Sequence, residues 1–183
     1  MVENYWNIDS IRSKKLIIGL GNKKYPLTRH SIGHMILDNV AKHRNVRFTT
    51  YSNAEIAYDS NYILLKPSYM NSSGKPVLTI MKKERIPSKN ILVVVDDIYI
   101  PFGSIRLKSS GGSGGHNGLQ DIIDRIATKD FTRLRIGIGH NFEKGQQGKF
   151  VLGKWTNEEM EQISTTIEHA VMMINEFILM VGY

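Results

Sequence analysis

Asn90-Ile91-Leu92-Val93-Val94-Val95-Asp96-Asp97 is the stretch on which the fold turns. Between Asn90 and the two acids it is continuously apolar and β-branched, with no polar alternation. Such a strand has both faces covered and belongs in the middle of a sheet, between helical layers. Its carboxyl end carries two acids, at the place where open α/β sheets gather ligands. Either acid suits an ordinary turn; the sharper reading is that one of them orients an imidazole. Working outward, Lys15-Leu16-Ile17-Ile18-Gly19-Leu20 reads as a second buried strand that breaks at Gly21-Asn22. On the far side, 134–139 alternates with Arg135 opposite the apolar face, and 104–108 puts Ile105 and Leu107 on one face and Arg106 and Lys108 on the other. Short strands are expected at 48–50, 54–58 and 62–65, the last closed by Pro67.

Helical periods lie between these strands. Ile32, Met35, Ile36 and Val40 share one face of 30–43. Ser72 or Ser73 can cap a helix through Val77, Ile80 and Met81. Leu119, Ile122, Ile123 and Ile126 recur at i, i+3, i+4, i+7. Thr156-Asn157-Glu158-Glu159 has the spacing of a capping box and opens a long helix striped with Met160, Ile163, Ile167, Val171, Ile174 and Ile178, a core-facing stripe. The polar stretch 141–148 reads as a mobile surface loop, and 150–153 as a short strand or docked turn. Strands alternating with helices, without a repeat or linker, predict one three-layer α/β domain. It would span 15–183, with a mixed twisted central sheet flanked by helices, behind an N-terminal extension at 1–14.

Composition narrows the function classes. The 183 residues include no cysteine, which excludes a disulfide scaffold and thiol chemistry. The formal charge of +7, spread along the chain, favours a polyanionic partner such as nucleic acid. No apolar run is long enough to cross a bilayer, and 1–14 lacks the apolar core of a secretory signal. A soluble intracellular protein of cytoplasm or mitochondrial matrix, not secreted, is expected. The Gly19-Leu20-Gly21-Asn22 segment lacks the remaining glycines and the acid of a dinucleotide fingerprint, so no cofactor is expected.

The chemistry concentrates in Ser109-Ser110-Gly111-Gly112-Ser113-Gly114-Gly115-His116-Asn117-Gly118, immediately before a helix. By itself a Gly/Ser run is a flexible connector. With His116 and Asn117 at a helix entrance, its backbone N–H groups suit an anion or a developing oxyanion. His30 stands at the start of another helix, whose dipole is expected to disfavour its charged form and leave it able to act as a base. A lone histidine there serves equally as a cap or packing residue. Asn71 falls in a strand-to-helix loop, where ligand contacts gather.

Together these segments resemble the bacterial-type peptidyl-tRNA hydrolases over nearly the whole chain from Lys15 onward. The resemblance is carried by Gly19-Leu20-Gly21-Asn22 with Tyr25 and Thr28-Arg29-His30; by Lys66-Pro67 with Met70-Asn71 and Ser73-Gly74; by Asp96; and by 111–119 with Arg133-Leu134-Arg135-Ile136-Gly137-Ile138-Gly139-His140. It implies an esterase that cleaves a peptide from its tRNA and so recycles peptidyl-tRNA released prematurely from ribosomes. It implies that His30 is the general base, Asp96 its partner, and Asn22 the residue that helps place the water. Asn71 and Asn117 would hold the peptide, Tyr25 and Met70 would join them in binding substrate, and His116 would line the cleft. Lys108 and Arg135 would clamp the 5′-phosphate beside the acceptor end.

That chemistry is internally coherent. An ester needs an activated water, a base near neutrality and oxyanion donors. Asparagine amides offer a donor and an acceptor to peptide backbone. No cysteine and no serine elbow supplies a nucleophile, so water is the expected one. The chain departs from the family at Lys23-Lys24, where Pro-Gly is usual, at Ser31 for Asn, at Val95 for His and at Asp97 for Glu. The Asn22–His30 loop is two residues shorter than usual and the 66–71 segment one shorter, which suggests a lineage away from typical bacteria, including an organellar one. The expectation is a metal-independent, monomeric enzyme. The alternative is a non-catalytic RNA-binding member of the same fold. A metal hydrolase using His30, His116 and Asp96 is a further alternative, separable by chelation.

Overall fold

The computed structural model describes residues 14–180, so the extension expected at 1–14 lies, apart from Lys14, outside the described residues. Among the described residues, seven strands form a single sheet in the order β2-β3-β4-β1-β5-β7-β6. They are β1 (Lys15–Gly19), β2 (Thr49–Tyr51), β3 (Ala54–Tyr58), β4 (Tyr62–Pro67), β5 (Ile91–Asp97), β6 (Ile105–Lys108) and β7 (Thr132–Gly137). The inner pairs β4–β1, β1–β5 and β5–β7 are parallel. β2–β3, β3–β4 and β6–β7 are antiparallel. The sheet is therefore mixed, with β5 buried along its length, as its unbroken apolar run requires.

Among the described residues, five α-helices cover the sheet: α1 (Ile32–Arg44), α2 (Gly74–Glu84), α3 (Asn117–Ile126), α4 (Gln147–Val151) and α5 (Asn157–Leu179). Strand side chains alternate between the two covers. Leu92 and Val94 pack with Ile36, Val40, Ile163 and Ile174 of α1 and α5. Val93 and Val95 pack with Val77, Ile80, Leu119 and Ile122 of α2 and α3.

The capping box forms: the Glu159 N–H donates to Thr156 Oγ1 (3.1 Å) and the Thr156 N–H to Glu159 Oε2 (2.8 Å). Two local expectations are corrected. Ser73 occupies the cap position of α2 but turns its hydroxyl back to the Met70 carbonyl (2.8 Å), and the Gly74 N–H goes to Asp121 of α3 instead (2.7 Å). Gln147 and Gly148, expected within the surface loop, instead open α4, and of the two readings of 150–153 no strand forms: the helix runs to Val151 and a turn follows at Leu152. Arg29 reaches across from the other side, stacked on Phe150 at 4.6 Å and bonded to the Phe150 and Lys154 carbonyls. Non-local contact of this kind is invisible to a periodicity reading.

β1 leads to β4 on one side, and the chain then returns to β5 on the other. The carboxyl ends of β1 and β5 thus flank a topological switch point, the position where such sheets open a crevice. α1 lies unusually close there. A Cβ on Gly33 would come within 2.4 Å of the Leu20 nitrogen and 2.7 Å of the Val94 carbonyl oxygen, both rigid backbone. Gly33→Ala is expected to destabilise the protein by about 3 kcal/mol through forced separation of helix and sheet. For a chain of this size that is a fall in Tm of roughly 6–12 °C, measurable by thermal unfolding.

Candidate active site

His30 lies in a 3-10 turn (Arg29–Ser31) that leads into α1, directly over the carboxyl end of β5. Its Nδ1 is 3.0 Å from both carboxylate oxygens of Asp96. His116 approaches the same carboxylate from the glycine loop, with Nε2 3.0 Å from Oδ1. The two rings stand 4.8 Å apart. His116 is also the N-cap of α3: its Nδ1 accepts the Leu119 N–H at 3.2 Å.

That cap fixes the direction of every proton. A ring nitrogen that accepts an N–H holds a lone pair, so in the neutral ring the His116 proton sits on Nε2 and points at Asp96. Asp96 as carboxylate accepts it, and accepts the Nδ1–H of His30 as well. The His30 lone pair is thereby left on Nε2, the nitrogen not held by Asp96. This is the tautomer a general base needs. Burial alone would raise the Asp96 carboxyl, but electrostatic attraction and hydrogen bonds from His116, then from His30, hold it well below the ordinary carboxylate range. Burial pulls His30 down, but the hydrogen bond and charge of Asp96 outweigh it and leave its pKa raised. The expectation that a helix dipole lowers it is corrected: the carboxylate at 3.0 Å dominates.

His30, Asp96 and His116 also have donor atoms within 4.8 Å of one another, close enough to ligate a metal. Ligation would require His116 Nε2 to give up its proton while Nδ1 still faces the Leu119 N–H. Metal-bound histidines normally donate from the second nitrogen to an acceptor. The surroundings of His116 thus favour a hydrogen-bond relay over a metal centre.

A cavity of about 170 Å³ opens over the relay, lined by His30, Asp96, Gly114, Gly115, His116 and Asn117 and closed by Tyr99, Gln147 and Val151. Among the described residues, the N–H groups of Gly114 and Gly115 have no acceptor. Both glycines adopt positive φ, +64° and +81°, which lets the loop turn sharply beside the imidazole.

The remaining expected residues stand around this cavity or away from it. Asn117, exposed, begins α3. Asn22 is tied to the turn that carries His30: its N–H donates to Ser31 Oγ (3.0 Å) and its Oδ1 accepts the Lys24 N–H (3.0 Å), so its remaining side-chain group is the amide NH2. The exposed Asn71 lies on the 3-10 turn Met70–Ser72. Tyr25 is exposed at the rim of the shortened loop. Met70 is not free to grip substrate along its length; it is buried, its sulfur against Gly118.

Lys108 and Arg135, expected as a phosphate clamp, lie on the neighbouring strands β6 and β7, and Arg135 lines the cavity. Register places Arg106, Lys108, Arg133 and Arg135 on one sheet face, through the pairs Arg106↔Arg135 and Lys108↔Arg133. Arg106 and Lys108 are exposed, whereas Arg133 and Arg135 are buried beneath the glycine loop. Arg135 donates to Asp97 Oδ2 (2.9 Å) and to the carbonyls of Gly112 (2.9 Å) and Ser113 (3.2 Å).

Two contributors, His34 and Val151, were not singled out from the sequence, and a third, Ser31, was noted there only as a departure from the family. Ser31 replaces a larger amide and ties the Asn22 loop to the helix start. His34, one turn beyond His30, is buried, bonds the Pro67 carbonyl at 3.0 Å and supports Gly21, whose Cβ would meet the ring at 2.5 Å. Burial, and then the nearby Lys66 charge, lower it to about 4, so it is neutral at pH 7. It underlies both asparagine-bearing loops, which are also joined by the Lys23 N–H to the Ser68 carbonyl (3.0 Å). Val151 closes the cavity from α4. Its apolar neighbours gave no periodic signal over so short a helix.

The same architecture occurs in proteins of known family. Residues 16–181 match the family model described as peptidyl-tRNA hydrolase. A peptidyl-tRNA hydrolase of Azobacteroides pseudotrichonymphae is 46% identical over 173 residues, covering 91% of this chain and 93% of that protein. That of Phocaeicola vulgatus is also 46% identical, covering 91% and 92%. The crystal structure of peptidyl-tRNA hydrolase from Acinetobacter baumannii superposes with a TM-score of 0.84 at 34% identity, covering 91% of this chain and 89% of that one. With the relay, the glycine loop and the asparagine loops on a matching scaffold, this chain belongs to the peptidyl-tRNA hydrolase family.

Proposed function

We propose that the protein hydrolyses the ester between the peptide and the tRNA of peptidyl-tRNA, with His30 as general base and water as nucleophile. The observation that supports this most strongly is the one-directional hydrogen-bond chain from the Leu119 N–H through His116 and Asp96 to His30. Nε2 takes a proton from water as the oxygen attacks the ester carbonyl. Asp96 stabilises the imidazolium and holds its orientation. The tetrahedral oxyanion is stabilised by donors that the site supplies without reorganisation: the loop N–H groups of Gly114 and Gly115, and an asparagine NH2. The imidazolium then returns its proton to the departing ribose hydroxyl.

Asn22, Asn71 and Asn117 engage the peptide through its backbone, so the enzyme accepts many peptide sequences. Tyr25 contacts the substrate at the rim, and Met70 acts from beneath by seating Gly118. The exposed Lys108, with Arg135 on the neighbouring strand, meets the 5′-phosphate. The protein acts as a monomer, without metal or cofactor. No helix among the described residues is long and apolar enough to cross a membrane. The proposal places the enzyme in solution inside the cell, in cytoplasm or an organelle matrix.

The test is release of N-acetyl-amino acid from N-acetyl-aminoacyl-tRNA in the presence of chelator, with unblocked aminoacyl-tRNA alongside. Turnover of the blocked substrate alone is expected. Tight, salt-sensitive tRNA binding without turnover would replace the proposal with the RNA-binding reading.

A further inference from the structure

We infer that Arg29 is a positioning residue: it holds α4 over the cavity beside the catalytic imidazole, so that one turn of chain sets both the base and the wall that closes on it. This rests on the proposed ester hydrolysis, since it assigns the fixed wall to that reaction.

α4 is five residues long. A helix so short does not hold itself together in water, so its place has to be set from outside. It supplies Gln147, Gly148 and Val151 to the cavity that His30 and Asp96 also line. Arg29 grips the far end of this segment. Its N–H donates to the Gly153 carbonyl (3.1 Å), and its Nη1 donates to the carbonyls of Phe150 (3.4 Å) and Lys154 (3.1 Å). The Phe150 carbonyl is one of those a helix leaves unpaired at its C-terminus. The guanidinium also stacks on the rings of Phe150 (4.6 Å) and Trp155 (5.4 Å). Gly153 leaves the room for it: a Cβ there would lie 2.7 Å from Arg29 Nη1. Thr28, the preceding residue, bridges to Lys154.

The other half of the guanidinium is anchored. Arg29 Nη2 donates to both carboxylate oxygens of Glu159, at 2.8 and 2.6 Å. Glu159 is itself held, because its Oε2 accepts the Thr156 N–H in the capping box of α5. α5 packs with α1 in the core. The contacts therefore run from a long helix through Glu159 and Arg29 to α4. Arg29 is buried and directly precedes His30, in the same 3-10 turn. From that turn His30 reaches Asp96, and Arg29 reaches α4. A carboxylate, two carbonyls and two rings are met at once by a planar fork, whereas lysine offers a single point charge. An ester lying over His30 is bounded by α4, so a displaced wall loosens the approach that general-base attack needs.

Arg29→Lys and Glu159→Gln test this on N-acetyl-aminoacyl-tRNA and on the N-acetyl-aminoacyl ester of a short CCA fragment, each variant being checked for a cooperative thermal transition. Absence of wild-type turnover overturns the underlying reading; wild-type turnover with unaffected variants overturns this inference alone. Arg29→Lys is expected to lower kcat by about 10²-fold on both substrates, and Glu159→Gln by about tenfold, as a misplaced site wall does. KM for the tRNA substrate should stay as in wild type. The ascending pH limb should also stay, because His30 and Asp96 are untouched. Amide hydrogen exchange at 147–153 should rise by about tenfold in both variants, with β5 and the middle of α5 unchanged. If Arg29→Lys does not fold, Glu159→Gln, which keeps the side-chain volume, decides alone. A folded variant with faster exchange at 147–153 and wild-type kcat would show that the wall does not matter to the reaction. A lowered kcat accompanied by a shifted pH limb would mean that the effect runs through His30 itself, and either result overturns the inference.

Discussion

His30→Ala is expected to reduce kcat by on the order of 10³-fold or more while changing tRNA affinity by less than about twofold, because general-base catalysis acts in the transition state and not in docking. The geometry gives the reason. Among the described residues, His30 Nε2 is the relay nitrogen that no protein group engages, whereas both nitrogens of His116 are committed, one to Asp96 and the other to the Leu119 N–H, so His116 does not substitute. Single-turnover hydrolysis with a parallel tRNA-binding measurement separates the two effects. A variant with the wild-type rate would remove His30 from the mechanism. In the wild type, the base must be neutral to accept a proton, and Asp96 raises its pKa. The ascending limb of kcat/KM against pH should therefore lie above the ordinary imidazole value of about 6.5.

Asp96→Asn should be nearly as damaging, on the order of 10³-fold in kcat, with little change in shape or volume. The carboxylate accepts N–H groups from two imidazoles at 3.0 Å. An asparagine can accept one, but its NH2 must then face the other ring. Either His30 flips to the tautomer with Nδ1 as acceptor, which puts the proton on Nε2 and destroys the base, or His116 loses its partner and with it the cap of α3. The pH limb moves in a stated direction too. With the carboxylate gone, burial acts on His30 unopposed, so whatever activity remains should titrate at lower pH than in the wild type. The pH–rate profile of the variant measures this; a limb that stays in place would mean that Asp96 does not set the protonation of His30.

The sequence specified the scaffold because the scaffold follows from patterns spanning a few residues. The apolar run 91–95 places β5 in the middle, the period of Leu119, Ile122 and Ile123 sets the buried face of α3, and Thr156 with Glu159 starts α5. The residues of the relay were legible as well, His30 and His116 at helix starts and Asp96 at a strand end, because loops at the carboxyl edge of a parallel sheet converge wherever strand order reverses. Short helix α4 was missed, since five residues carry too little periodicity and its placement depends on Arg29 from a distant segment.

What the sequence could not decide was which polar group faces which. Arg135 and Lys108 lie on alternating strands with the same apparent character, yet one is 8% exposed and triply bonded while the other is open to solvent. That difference arises because the glycine loop folds back over β7, leaving only β6 at the sheet edge. The direction of the His30 shift was equally non-local: a helix start suggests a lowered value, but a carboxylate brought to 3.0 Å from 66 residues away outweighs it. The sequence by itself determined the sheet, its helical covers and which polar residues stand at the carboxyl edge of that sheet, since local pattern and chain connectivity suffice for those. Only the tertiary structure decided the proton positions, the protonation of the base and the division between buried and exposed cations, because Coulomb and hydrogen-bond energies depend on distances that chain separation does not reveal.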